Sequence, residues 1–444
     1  MVRDKKLLSA ALAALVVTSR LSGQQQAITS VTLADALRLA RQVAPAVVQA
    51  QGVIRNAQLS ERSALWQFIP SLTVQPQMSL SLSNGQSRLD PITQEIISGN
   101  STSPTYQFGA SATYTIFDGF ARNYNLRQQR ANEAAADAGL ITSQYGSDFN
   151  TTTSFFNALA QRQLVTVAQA NLDAADGQLR LASAKLHAGS GQVSDSLTAL
   201  GNYLQARLGV LQAQSNLVVG ESNLGRLVGV ATRVSAVDDS AFYRVPPPLD
   251  TAAIRQEVLS TAPSLKSLES NVVAARLAYS SSRAGYYPTL AATAAQSWVG
   301  LWSSSTPASS NTGLVPHRSL NITLSISPWT SLARETQIAR AEVNIANAEV
   351  SLADQRNAIS AQVNQSYAAL ATGQEQISVS TAQVDAGVEN LRVVTERYRI
   401  GVATITEVLT AQNQLVTAQA NQVQARYSYL NAKAQLEQIL GRRL

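Results

Sequence analysis

The sequence predicts an α+β membrane protein with two structural repeats per chain. Four β-strands per chain join those of two further copies in a twelve-stranded outer-membrane barrel, continued by a long α-helical coiled-coil tunnel. Three features carry that prediction. The chain repeats its own pattern in two halves, each half holds one exceptionally long proline-free helix, and alternating segments between helices are uncharged.

Composition narrows the classes first. Of 444 residues, 45% are hydrophobic and only 14% charged, and 34 basic against 28 acidic side chains leave a net charge of +6. That charge is spread thinly and makes no basic face for nucleic acid. The absence of cysteine excludes disulfides, thiol catalysis and thiolate metal sites. The two histidines, His187 and His317, lie far apart on the predicted plan. No enzyme chemistry, metal or cofactor is expected.

Residues 1–23 read as an export signal. Arg3, Lys5 and Lys6 form a positive start, and Leu7 to Val17 an apolar run too short to span a bilayer. Small residues at Val17-Thr18-Ser19 or at Ser22-Gly23 offer alternative cleavage points; a buried N-terminal helix is the competing reading. No later stretch is apolar for about 18 residues. An exported chain of this kind is periplasmic, secreted, or inserted in an outer membrane as a barrel.

The duplication is read from recurring residues. Ala44-Pro45 returns as Ala262-Pro263, and Ile69-Pro70-Ser71-Leu72 as Tyr287-Pro288-Thr289-Leu290. Farther on, Ala121-Arg122 returns as Ala333-Arg334, Gly189 as Gly401, Val193-Ser194-Asp195 as Ile405-Thr406-Glu407, and Gly229 as Gly441. The repeats span 28–230 and 250–444. Between them, 231–249 is a connector in which Val237-Asp238-Asp239-Ser240 and three prolines break any regular element.

Each repeat reads as the same series. Thr32 to about Phe68, and Asp250 to about Tyr286, have helical spacing, with Thr32 and Asp250 as caps. Gly119 to Leu186 and Thr330 to Arg399 are the long helices, started by Asp118 and Thr330-Ser331 and stopped by Gly189 and Gly401. Asp195 to Val230 and Glu407 to Leu440 follow. A helix of roughly 68 residues runs on the order of 100 Å, so two shorter ones end to end cover it. Leu197, Leu204, Leu211 and Val218, like Leu409, Val416, Val423 and Leu430, fall at the heptad spacing of a coiled-coil seam. A soluble coiled-coil rod satisfies these helices equally well.

The strands separate the two. About residues 71–84, Leu72, Val74, Met78, Leu80 and Leu82 alternate with Thr, Gln and Ser; about 105–117, Tyr106, Phe108, Tyr114 and Ile116 do the same. About 289–299, Leu290, Ala292, Ala294 and Trp298 share a face with Gln296, and about 318–327, Leu320, Ile322, Leu324 and Ile326 alternate with Ser, Asn and Thr. These runs have the length of tilted membrane strands, with a polar uncharged side suited to a lumen. Trp66, Trp298, Trp302 and Trp329 fall at or near strand ends, where an aromatic girdle sits. A soluble β-sandwich lobe is the competing reading. Four strands cannot close a barrel, since about eight is the minimum, and three copies supply twelve. Asn84 to Ser103 and Gly300 to Pro316 are then outer loops.

The duplicated plan, the Pro-Ser-Leu and Pro-Thr-Leu strand entries, Phe117-Asp118-Gly119-Phe120, and Tyr398-Arg399-Ile400-Gly401 running into Ile405-Thr406-Glu407-Val408-Leu409-Thr410-Ala411 resemble the TolC family of outer-membrane efflux proteins. The resemblance covers essentially the whole mature chain. It implies a homotrimeric passive exit duct, embedded in outer-membrane lipid and reaching into the periplasm. A periplasmic adaptor would join it to an inner-membrane transporter, in tripartite efflux or type I secretion. It also places the connector at the equator of the tunnel.

By the same resemblance, Asp195 and Glu407 look like gate carboxylates at the tunnel's inner end. Six of them in a trimer would attract cations and raise their own pKa values by mutual repulsion. The local alternative is that each carboxylate complements a helix N-terminus, Glu407 in a capping box with Thr404. Tyr398 matches a tyrosine the family uses to hold the tip closed. The family's arginine partner falls at Ala403, so that latch is expected to be either absent or rebuilt with Arg397 or Arg399. Ala188, Gly189, Val193, Leu197, Gly401, Val402, Ile405 and Leu409 are the expected adaptor-docking tips. The rival function is a trimeric adhesin or structural coiled-coil stalk without a conduit.

Overall fold

The computed structural model describes residues 29–89, 94, 96–243, 250–301 and 315–442. The export signal and Trp302 lie outside them. Each structural repeat is built in the same order. The first contains β1 (Thr29–Val31), α1 (Leu33–Val43), α2 (Pro45–Trp66), β2 (Ser71–Leu89), β3 (Ile96–Phe117), α3 (Ala121–His187) and α4 (Val193–Val228). After β4 (Val234–Ala236) come α5 (Thr251–Thr261), α6 (Pro263–Arg283), β5 (Thr289–Leu301), β6 (Val315–Ser325), α7 (Ala333–Arg399) and α8 (Ile405–Leu440). The long helices α3 and α7 have 67 residues each, and α4 and α8 have 36 each.

The first helix of each half is two helices rather than one. Ala44 and Ala262, with ψ of 121° and 122°, stand extended before Pro45 and Pro263. The proline ring crowds the residue before it out of the helical region, and then starts the next helix where its missing N–H is not needed. The caps are those read from sequence: Thr32 accepts from the Asp35 amide at 3.2 Å, and Asp250 from the Ala252 amide at 2.9 Å.

One antiparallel sheet in the order β2-β3-β5-β6 joins the halves, and β2 and β6 are its two open edges. Register aligns Val74, Ala110, Gln296 and Arg318 in one row, and Leu72, Ala112, Ala294 and Leu320 in the next. Leu72 is 74% exposed and Leu320 73%. A face this apolar and this exposed is what a lipid-facing barrel wall presents.

The strands depart from the expected segments at their outer ends. β2 and β3 continue well into the expected Asn84–Ser103 loop, because alternating Ser, Thr and Asn can keep a hairpin ladder going beyond the apolar band. The strands are also not wholly uncharged, since β2 includes Arg88 and β6 includes Arg318.

Below the sheet, each long helix starts after two residues in the left-handed region: Gly119 and Phe120, then Ser331 and Leu332. A Cβ on Gly119 would lie 2.7 Å from the Ala284 carbonyl oxygen, so the close approach of the two halves requires glycine there. Asp118 receives the Arg122 amide at 3.1 Å and its guanidinium at 2.9 Å. Arg334, at the matching position, covers the Tyr286 ring at 4.0 Å and donates to the Ser327 carbonyl at 3.0 Å.

Along the tunnel, α3 packs on α2 and α6 near the barrel and on α4 and α8 farther away, while α7 packs on α6 and α8. The leucine row of α4 is not the seam of that packing. Leu197, Leu204, Leu208 and Leu211 are exposed, and Ala199, Ala206 and Val210 are buried instead. Small residues let α4 approach α3 closely, and the leucines are left for another surface.

The core is thickest at the equator. Phe155, Leu224, Val258, Leu265, Val363, Leu430 and Leu436 are buried together there. The connector is more structured than its composition predicts. β4 pairs in parallel with β1, and a 3-10 turn at Ser240–Tyr243 sets Phe242 edge-on to Phe155 and Phe156. Where the chain turns from α4 into β4, a Cβ on Gly225 would sit 2.3 Å from the Thr232 carbonyl oxygen. Gly225→Ala should therefore destabilise the equator by about 1–3 kcal/mol. A lower thermal midpoint of the purified trimer is the check, and an unchanged midpoint contradicts the close contact.

Candidate functional site

At the end of the helices farthest from the barrel, α3 turns into α4 and α7 into α8. Both turns pass through glycine in the left-handed region, Gly189 at φ 75° and Gly401 at φ 84°. Nothing lies within 4 Å of a Cβ built on either, so backbone conformation rather than space selects glycine.

The two turns meet through Tyr398, which is 4% exposed. Its hydroxyl donates to Asp195 Oδ2 at 3.3 Å, joining the end of α7 to the start of α4. Lys185, in the last turn of α3, lies over the Tyr398 ring with Nζ 4.3 Å from the centroid and donates to the Tyr398 backbone carbonyl. Burial, then the neighbouring Asp195 carboxylate, pushes the Tyr398 phenol above its usual range. It therefore stays protonated and a donor. Ile405 and Val408 pack beneath.

Of the expected arginine substitutes, Arg397 sets its charge near Glu407 and Arg399 is held within its own helix. Arg399 pairs with Glu396 at 2.8 Å. Arg397 offers its backbone carbonyl to the Val402 and Ala403 amides at 2.8 and 3.2 Å. The basic group that reaches Tyr398 is Lys185, in the last turn of α3. Its contact spans 213 residues of chain, so no local signal marks it.

Glu407 lies in the first turn of α8, in the capping box. It accepts the Thr404 amide at 3.2 Å, while Thr404 Oγ1 accepts the Glu407 amide at 3.3 Å. The Thr404 amide, then its hydroxyl and the charge of Arg397, hold the Glu407 carboxyl below the usual carboxylate range. Within one chain this is opposite to the raised value expected from mutual repulsion, because donors at the helix start stabilise the anion directly.

The tip surface is only partly the expected one. Val193, Leu197, Gly401 and Val402 are exposed, as are Ala188 and Gly189. Ile405 is 4% exposed and Leu409 is half-buried, so Ile405 supports the turn from within and offers no surface. A few residues up the bundle, Gln178 donates to Gln412, which donates to Asn171 Oδ1 at 2.7 Å. This amide chain between α3 and α8 joins residues 234 and 241 positions apart, so the sequence did not pair them. The spacing of Asn171 and Gln178 on one side of α3 was the available signal.

Comparison with known proteins agrees with this architecture. The family described as Outer membrane efflux protein matches residues 36–230 and 254–442, one match per repeat. The outer membrane efflux protein BepC of Brucella suis biovar 1 (strain 1330) is 22% identical over 334 residues, covering 75% of this chain and 72% of that protein. The CusC structure, described in terms of transmembrane channel formation, is 17% identical with a TM-score of 0.78, over 92% of each chain. The Campylobacter jejuni CmeC outer membrane channel is 16% identical with a TM-score of 0.76, over 92% of this chain and 85% of that one. The stalk without a conduit is thereby set aside. With both halves matched, the chain belongs to the outer membrane efflux protein family: a passive, non-enzymatic exit duct whose trimeric barrel lies in the outer membrane and whose helical tunnel reaches into the periplasm.

Proposed function

We propose that the duct is closed at its periplasmic end by a latch of Asp195, Tyr398 and Lys185, and that Asp195 and Glu407 of three chains form its cation-attracting mouth. The observation that carries this reading is the Tyr398–Asp195 hydrogen bond, which ties the two helical hairpins of one chain together at their tips. Opening the mouth requires the hairpins to separate, and that bond with the Lys185 contact opposes it.

The exposed turns at Ala188, Gly189, Val193, Leu197, Gly401 and Val402 form the surface for a periplasmic adaptor, which links the duct to an inner-membrane transporter. Small residues with apolar neighbours suit helix-tip packing. The cargo is supplied by that transporter, in tripartite efflux or type I secretion. Met78, the methionine of the described residues, sits on the exposed face of β2, which argues against a thioether-lined soft-metal path.

The test is ion selectivity in planar bilayers. Asp195→Ser with Glu407→Ser should lower the cation-to-anion permeability ratio severalfold toward unity. Because the Thr404 donors hold the Glu407 carboxyl below the usual range, the share of selectivity that Glu407 supplies should persist as the pH falls through the ordinary glutamate range. Unchanged selectivity in the double variant removes both residues from the mouth.

A further inference from the structure

Among the described residues, Arg318 sets on the outward face of the barrel a charge that its strands cannot neutralise. Arg318 of β6 shares that face with Leu320, Ile322 and Leu324, directly opposite Gln296 of β5. It is exposed, and its Nε donates to Gln296 Oε1 at 2.8 Å. That bond occupies one edge of the guanidinium and leaves both terminal nitrogens for a further acceptor. None of β2, β3, β5 or β6 contains Asp or Glu. Neither this sheet nor the strand of an adjoining copy at the open edge of β6 can therefore supply a carboxylate.

The height of Arg318 fits a headgroup. It lies roughly seven residues above the inner end of β6, or about 18 Å up an apolar band of about 25 Å. The next pair outward is Trp298 with Pro316, and the Trp298 ring lies 5.4 Å from that of Phe108. Aromatic rings of this kind mark the level where hydrocarbon gives way to headgroups. An arginine just beneath them extends outward along its apolar stem to reach that level.

We propose that Arg318, oriented by Gln296 beside the Trp298–Phe108 pair, binds the phosphate of an outer-leaflet lipid. A planar guanidinium with two free nitrogens matches a phosphate in bidentate fashion. Three such sites surround the trimer. The inference depends on the outer wall of the barrel and not on the tip latch, so the two stand or fall separately.

The test uses the full trimer in phosphatidylcholine vesicles containing spin-labelled phosphatidic acid or spin-labelled phosphatidylcholine. Wild type should favour phosphatidic acid in its motionally restricted lipid by roughly two- to fivefold. Arg318→Gln should bring the ratio to about one, while Arg340→Gln, which removes the same charge from α7, should leave it in place. An unchanged ratio in Arg318→Gln, or an equal fall in Arg340→Gln, overturns the proposal. Excess inorganic phosphate at matched ionic strength separates the sources. A retained preference supports lipid phosphate, and collapse to the Arg318→Gln value shows a site for free phosphate instead, which overturns the lipid assignment. Single-channel conductance of Arg318→Gln should equal wild type, which verifies that the trimer is intact.

Discussion

Trimers carrying Tyr398→Phe together with Lys185→Met should open at the tip and pass at least about tenfold more current than wild type in planar bilayers. The phenol–carboxylate hydrogen bond is worth about 1.5 kcal/mol, the low end for a charged acceptor, since 3.3 Å is long. The Lys185 contact with the Tyr398 ring adds about 0.5–1 kcal/mol. One such latch per chain gives three per mouth, and about 1.4 kcal/mol already shifts a two-state equilibrium tenfold. Lys185→Met keeps the apolar stem and removes the charge, and Tyr398→Phe keeps the ring. Both variants should therefore fold, and trimer yield serves as the control. Wild-type current with normal yield would show that the contact does not hold the mouth shut. Because the phenol is pushed up, wild-type channels should stay closed through moderately alkaline pH, where an ordinary tyrosine starts to ionise.

The largest stability effect is expected at the equator. Glu221 is 2% exposed and receives Arg162 at 3.0 Å and Arg233 at 2.7 Å. Arg162 also donates to the Ala236 carbonyl at 2.7 Å and to Ser235. Together these contacts fasten β4 to α3 and α4. Arg162→Met with Arg233→Met would leave a buried carboxylate with neither cation, at a cost of about 3–5 kcal/mol. The expected outcome is a steep loss of folded trimer and a lower thermal midpoint. Adding Glu221→Gln should recover much of the loss, because a neutral amide is cheaper to bury than an anion. A double variant as stable as wild type would show that the cluster is not fixing the equator.

The parts of this protein that were legible in advance are those encoded at short range. Helical spacing, the capping residues Thr32, Asp250 and Thr404, and the stop glycines Gly189 and Gly401 each act within a turn or two. So does the period-two alternation of Leu72, Val74 and Met78. The break at Ala44-Pro45 was legible too and was overridden by the continuity of the apolar pattern on both sides. Asp195, Glu407 and Tyr398 were singled out by the resemblance to the TolC family, and Asp195 and Glu407 also stand at corresponding turns of the two halves. Their partners were not: Lys185 and Tyr398 come together only when α3 and α7 are packed in register.

The sequence by itself determined that this is a duplicated chain of long helices and amphipathic strands that needs further copies to close its sheet. Those properties follow from backbone periodicity and from strand number, which neighbouring residues dictate. Only the tertiary structure decided which side of α4 is buried, which basic group reaches Tyr398, and that Arg318 meets Gln296 across β5 and β6. Each of these depends on the rotation and register of elements far apart in the chain. A shift of one residue along a strand, or a turn of about 100° around a helix, would present a different side chain to the same neighbour.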